Sequence, residues 1–268
     1  MKLSFSTLAC PHCTFPCIVA IASNAGYAGV ELRFVEGEDS LWKLPAFQGR
    51  NLADNKRLLA DHGLKISCVD TSCRFHSADS KERASWVAEG ERMADLAAEL
   101  EAPGLRIFGD TIQPGADRES TRSWIAEGIR KLAETSGPKG VETWLESHGD
   151  FTTAPETAAV LTEAACPHIG AIWDPANSFA ATGESPEQGA TLGKAIRHVH
   201  IKDLRHVDGS WKPVLTGDGD FPLQELLGAL QKLNYDRFVS FEWEKKWHPE
   251  IEDGEIALPH FVDWFRKN

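Results

Sequence analysis

Residues 7–16 read TLACPHCTFP, and this stretch decides between two ways of folding an alternating α/β chain. It follows the first short apolar run, where a first strand turns toward a first helix. In an open doubly wound sheet that turn is normally rich in glycine, so that backbone N–H groups can approach a phosphate. Residues 7–16 contain no glycine. Thr14 stands instead where an N-cap would, before a helix starting at Phe15 or Pro16. The wider run CPHCTFPC, residues 10–17, carries three cysteines and His12. A structural zinc site wants four ligands, usually two cysteine pairs separated by a loop. Here the spacing is C-x2-C-x3-C and no second CxxC exists. The stretch therefore reads as a strand-to-helix turn, and metal ligands are to be sought elsewhere.

Working outward, strand-like runs fall at 3–7, 29–34, 65–70, 104–109, 141–147, 169–174, 196–203 and 238–242. Segments with helical spacing lie between them. FPLQELLGALQKLNY (221–235) is the clearest, with Leu223, Leu226, Leu227, Leu230 and Leu233 in one stripe. SKERASWVAEGERMADLAAEL (80–100) repeats the pattern, and residues 51–62, 118–135, 155–165, 186–194 and 257–267 fit it. Eight strands alternating with eight helices is the arithmetic of a closed parallel barrel. No linker, repeat or low-complexity segment interrupts it. The expectation is an α/β fold, a single (β/α)8 TIM barrel over residues 1–268.

Composition agrees. The 268 residues are 42% hydrophobic, enough for one large core. No run of about 18 apolar residues offers a membrane span. The start, MKLSFSTLAC, reads as a strand and not as a signal peptide, so a cytoplasmic location is expected. Cys10, Cys13, Cys17, Cys68, Cys73 and Cys166 then read as free thiols. A net charge of −12 argues against a nucleic-acid partner.

In such a barrel the chemistry gathers at the carboxyl ends of the strands. Four consecutive strands end alike: VETWLESHGD, AIWDPAN, RHVHIKD and VSFEWE. They supply Glu146, Asp174, His200 and Glu242, each after a run that should be buried. A charged group there is costly unless paired or metal-bound, and three converging carboxylates repel unless a cation lies between them. Three oxygen donors and one imidazole suit Mn²⁺, Mg²⁺ or Co²⁺ ahead of Zn²⁺. Each residue also has a plainer reading. Glu146 and Glu242 could pair with Arg106 or Lys202, Asp174 could cap the following turn, and His200 could be a core histidine. The four together on adjacent strand ends favour a metal site.

The chain resembles the sugar isomerase and epimerase superfamily with the xylose isomerase-like barrel. Its relatives include inosose dehydratases, hydroxypyruvate isomerases, ketose 3-epimerases and apurinic endonucleases. GYAGVELR (26–33), RIFGD (106–110), LESHGD (145–150), WDPAN (173–177), HVHIKD (198–203), TGDGDFPLQELLGAL (216–230) and SFEWE (240–244) carry the resemblance, in the family's order. It implies one divalent ion held by Glu146, Asp174, His200 and Glu242. It also implies that Glu146 and Glu242 double as acid and base, and that the loop after strand one shapes the substrate pocket.

The chemistry suited to this set is proton removal beside a carbonyl, with a divalent ion stabilising the enediolate. Residues two apart on a strand share a direction, so His148 should accompany Glu146, and Lys202 should accompany His200, as substrate contacts. Lys202 fits an oxyanion partner or a salt bridge to Glu242 or Asp203. Asn177, Arg106 and Glu31 are further candidates, and Glu31 reads first as a group closing the barrel mouth and second as a substrate contact. EWEKKWHPEIEDG (242–254) could stack on a sugar or meet a neighbouring subunit in a homo-oligomer. The leading expectation is a metal-dependent isomerase or epimerase of a keto or aldo sugar. The alternative is an inosose-dehydratase-type lyase. An apurinic endonuclease fits poorly, since VDTSCRF, RIFGD and DPAN lack most of the histidines those enzymes use. A non-catalytic sugar-binding barrel would need the carboxylates only as structural pairs.

Overall fold

The computed structural model describes residues 1–268. Ten strands form in chain order: β1 Lys2–Phe5, β2 Gly29–Leu32, β3 Lys65–Arg74, β4 Gly104–Phe108, β5 Glu142–Glu146, β6 Ile169–Trp173, β7 Ile196–Ile201, β8 Asp203–Val207, β9 Ser210–Val214 and β10 Phe238–Phe241. Eight of them make one sheet in the order β1-β10-β7-β6-β5-β4-β3-β2. The pairings β1–β10, β10–β7, β3–β4, β4–β5 and β5–β6 are all parallel. An isolated parallel bridge, Ser6 to Glu31, links the ends of β1 and β2, the two strands at the limits of that order. By its contacts the chain groups into two compact units, Met1–Ser67 with Val199–Asn268, and Cys68–His198.

All eight expected strands are present, with their ends shifted by a few residues. The largest change is β3, which runs on past Asp70 to Arg74. Strands buried on both faces read as nearly continuous apolar runs, and β2, β4, β5, β6 and β10 are mostly or wholly buried. Along β5 the period of two sets Glu142, Trp144 and Glu146 on one face. Trp144 packs with Cys68 and Ile172 and stacks on His198, ring centroids 6.0 Å apart. Gly104 on β4 makes room for it, because a Cβ there would run into the indole.

Nine helices pack on the strands: α1 Phe15–Ala25, α2 Gly49–Asp61, α3 Ser80–Glu99, α4 Arg118–Ser136, α5 Ala154–Ala164, α6 Pro175–Thr182, α7 Pro186–Gly189, α8 Leu223–Lys232 and α9 Gly254–Lys267. Asp79 and Asp117 cap α3 and α4 through N–H groups of Lys81 and Ser120, each at 2.8 Å. Thr14 does occupy the N-cap of α1, but its hydroxyl makes no capping bond. Pro16 in the first turn starts that helix instead. The helix expected over 186–194 is corrected. Ser185 and Gln188 form a capping box that starts α7, and the chain then tightens to 3-10 turns broken at Gly193, whose φ is +53°.

The helix α6 and the β8–β9 hairpin have no counterpart in the expected alternation. α6 follows β6 directly, with Asp174 as its cap. β8 and β9 form an antiparallel hairpin around Asp208 (φ +51°) and Gly209 (φ +81°), the two-residue Asp-Gly turn whose left-handed backbone matches strand twist. No helix is long and apolar enough to cross a membrane.

Candidate metal centre

On β7 the alternation of RHVHIKD sets His198, His200 and Lys202 on one face, and all three are buried. The His200 ring lies between two carboxylates: Nε2 is 3.0 Å from Glu31 Oε1, and Nδ1 is 3.5 Å from Glu242 Oε1. Lys202 Nζ donates to Glu242 Oε2 at 2.7 Å and to Glu244 Oε1 at 2.5 Å. The salt-bridge reading of Lys202 toward Glu242 is thus realised, while the one toward Asp203 is not. Asp203 has other work. Its Oδ1 accepts from Leu204 N–H at 2.9 Å, and Oδ2 accepts from Gly217 and Gly219 N–H at 2.8 and 2.9 Å. Burial pushes the Asp203 carboxyl up, and these backbone donors offset only part of that rise. The turn TGDGDF therefore folds over the end of β7, and at Gly219 any Cβ would strike the Asp203 carboxylate.

Across β3 to β6 a second set of charges is organised by Arg106. Its Nη1 donates to Glu146 Oε2 at 2.8 Å and lies 3.7 Å from Asp70 Oδ2. Nη2 donates to the Thr71 carbonyl at 3.2 Å, and the guanidinium sits 4.1 Å from the Phe108 ring centroid. The strand register pairs Arg106 with Trp144, two residues before Glu146. Only 2% of Arg106 is exposed, and its guanidinium is engaged by Glu146 and the Thr71 carbonyl. Asp174 ends β6 and caps α6, Oδ1 accepting from Asn177 N–H at 3.0 Å. The capping reading of Asp174 is therefore realised with one oxygen. Ser147 locks the two strand ends together: its Oγ accepts from Asp174 N–H at 2.8 Å, and its carbonyl accepts from the Asn177 amide at 3.3 Å.

The remaining candidates divide. His148 is half-exposed, with Nδ1 3.7 Å from Asp110 Oδ1 and its ring 4.8 Å from Phe108. Asn177 ties Ser147 in place. Glu31 is fully buried against His200, where a carboxylate orients an imidazole. Asp70, Asp110, Ser147 and Glu244 enter these contacts in addition to the candidates named from the sequence. Asp70 ends the apolar run ISCV much as Asp174 ends AIW, so the rule that found Asp174 reaches it too.

Glu146, Asp174 and His198 in one unit, and Glu31, His200 and Glu242 in the other, each offer an atom that can bind a metal ion. All six residues are buried. Six buried carboxylates (Glu31, Asp70, Glu146, Asp174, Asp203 and Glu242) stand against three buried cations, Arg33, Arg106 and Lys202. Buried charge of one sign is costly without compensation. This buried acid and imidazole group is chemically fit to bind a divalent ion.

Residues 19–267 match the family model described as xylose isomerase-like TIM barrel. Among solved structures, the chain is similar to the probable 3-DHS dehydratase AsbF of Bacillus anthracis, with 20% identity, 99% of each chain covered and a TM-score of 0.81. It is similar to the IOLI protein crystallised with a zinc atom, at 19% identity over 100% of this chain and 99% of that one, with a TM-score of 0.81. A D-psicose 3-epimerase crystallised with D-fructose gives 17% identity, 100% and 99% coverage and the same TM-score of 0.81. No curated protein matches the chain in sequence.

Proposed function

Because the chain belongs to the xylose isomerase-like TIM barrel family, we propose that it is a divalent-metal-dependent isomerase or epimerase of a keto or aldo sugar. The observation that carries this reading is the matched treatment of two buried glutamates. Arg106 holds Glu146 Oε2 and Lys202 holds Glu242 Oε2, at 2.8 and 2.7 Å. A cation at hydrogen-bond distance favours the ionised carboxylate, so each glutamate is poised as a base. One takes the proton from the carbon beside the substrate carbonyl, and the other, once protonated, serves as the acid that returns it.

Glu146, Asp174, His200 and Glu242 are the ligands in this reading. The contact of His200 Nε2 with Glu31 supports it, since metal-bound imidazoles give their second nitrogen to a carboxylate. That leaves Nδ1, on the Glu242 side, as the donor. Three oxygens and one nitrogen suit Mn²⁺, Mg²⁺ or Co²⁺, and the zinc-bearing neighbour keeps Zn²⁺ in view. A bound ion would polarise the substrate carbonyl and hold the adjacent hydroxyl. His148, half-exposed beside the Glu146 strand end, contacts the substrate. Arg106, Glu31 and Asn177 act through the residues they hold.

A lyase of the dehydratase type is the second reading, favoured by Lys202. Its ammonium stands beside the base Glu242 and can protonate a departing hydroxyl. Turnover of a ketose and inosose panel in deuterated water, followed by NMR, separates the two. The primary reading predicts an isomeric product carrying one solvent deuterium. A product short of one water contradicts it and supports the lyase.

Lys202→Met keeps the stem's packing and removes the charge. If the ammonium meets charge developing on a substrate oxygen, kcat and kcat/KM fall together with KM little changed. This is the expected outcome. A raised KM at unchanged kcat would make Lys202 a uniform anchor instead.

A further inference from the structure

The cysteines of residues 10–17 have no part in the chemistry above, yet the fold brings their sulfurs together. Cys13 Sγ lies 3.4 Å from Cys17 Sγ, and the Cys10 and Cys13 thiols are close enough to influence each other's ionisation. No cysteine in the chain is in a disulfide. Cys17 is exposed, in the first turn of α1, whereas Cys10 and Cys13 are half-buried. The backbone that carries them is tied down. Cys13 N–H donates to the Cys10 carbonyl at 3.0 Å, Glu36 N–H to the Cys13 carbonyl at 3.1 Å, and Gly37 N–H to the Pro11 carbonyl at 2.8 Å. A cavity of about 550 Å³ opens beside Cys10 and Cys13, with His12, Lys245 and Lys246 on its wall.

We propose that Cys13 and Cys17 form a dithiol modification site for low-molecular-weight disulfides, with Cys17 as the residue modified and Cys13 as the residue that resolves the adduct. The exposed Cys17, as thiolate, attacks the small disulfide RS–SR. A Cys17–S–SR bond forms, the RS–SR bond breaks, and RS⁻ leaves and takes up a proton. Cys13, after losing its proton to solvent, attacks Cys17 Sγ, forming the Cys13–Cys17 disulfide and expelling a second RS⁻, protonated in turn. Two protein thiols are oxidised and one small disulfide is reduced to two thiols.

The order of events follows from access and charge. Burial pushes the Cys10 and Cys13 thiols up, which keeps them protonated while Cys17 meets solvent. The resolving step needs the sulfurs to close from 3.4 Å to the disulfide bond length of about 2.05 Å. The cavity beside Cys13 gives the leaving thiol room. In a reducing compartment such bridges serve as transient redox-sensing bonds and not as structural ones.

The test is incubation of the full chain with excess oxidised glutathione, then intact-mass and peptide mapping. The wild-type chain should lose two titratable thiols as a Cys13–Cys17 bridge, restored by dithiothreitol. Cys13→Ser should stop at a stable glutathione adduct on Cys17, Cys17→Ser should form no adduct or bridge within residues 10–17, and Cys10→Ser should still form the 13–17 bridge. A wild-type chain that stops at a Cys17 adduct, bridges Cys10 to Cys13, or leaves all three thiols unreacted overturns the proposal.

Discussion

Glu146→Gln and Glu242→Gln are each expected to lower turnover by about two to four orders of magnitude, the usual worth of a positioned acid or base. The amide keeps the size of the side chain and one oxygen. At Glu146 that oxygen can still accept from Arg106 Nη1, now at 2.8 Å, and at Glu242 it can still accept from Lys202 Nζ, now at 2.7 Å. What is lost is the negative charge that can take a proton. Loss should therefore appear in kcat, with folding intact by circular dichroism. Exchange of the substrate's carbon-bound hydrogen with solvent deuterium should fall in step. Near-wild-type turnover in both variants would remove the two-glutamate mechanism.

The largest expected effect on stability is at Arg106. Arg106→Met leaves Asp70 and Glu146 as buried carboxylates without the guanidinium that serves both. It also removes the donor to the Thr71 carbonyl and the cation over Phe108. Removing one partner of a buried ion pair costs about 3–5 kcal/mol, because the other charge stays in place. At about 2–4 °C per kcal/mol for a chain approaching this size, the midpoint of thermal unfolding should fall by roughly 6–20 °C. Adding Asp70→Asn in the Arg106→Met background should recover part of that loss by neutralising one unmatched charge. A melting point unchanged by Arg106→Met would mean that the guanidinium is not a brace. Arg106→Lys is not a rescue, since a single ammonium cannot reproduce the fork reaching both Glu146 and Thr71.

These two predictions differ in how far the sequence alone leads to them. Glu146, Asp174, His200 and Glu242 are legible because each is a charged or titratable side chain closing a buried run, and strand ends are where a barrel gathers such groups. The tie of Arg106 to Glu146 is legible only as one of several plain alternatives; the strand register that aligns it does not show in the residues. Asp203 is less legible still. It holds backbone N–H groups of Gly217 and Gly219, fourteen and sixteen positions away, and backbone donors leave no mark on side-chain pattern. The β8–β9 hairpin has a signal, Asp208–Gly209 between two strand-like runs, but 196–203 reads as one strand that absorbs its start. α6 is concealed for the opposite reason. Eight residues beginning at Pro175 are too short for a helical stripe to repeat, and the cap that starts them is the same Asp174 that the metal reading claims.

The central claim is that Glu146, Asp174, His200 and Glu242 hold one divalent ion, and metal analysis of the purified chain after dialysis tests it most directly. The account predicts close to one equivalent of Mn²⁺, Mg²⁺, Co²⁺ or Zn²⁺ per chain, lost in Asp174→Ala and His200→Ala and retained in Cys10→Ala and Cys13→Ala. A metal-free wild-type chain that takes up no added divalent ion would contradict it. So would loss of the ion in the cysteine variants with retention in the other two.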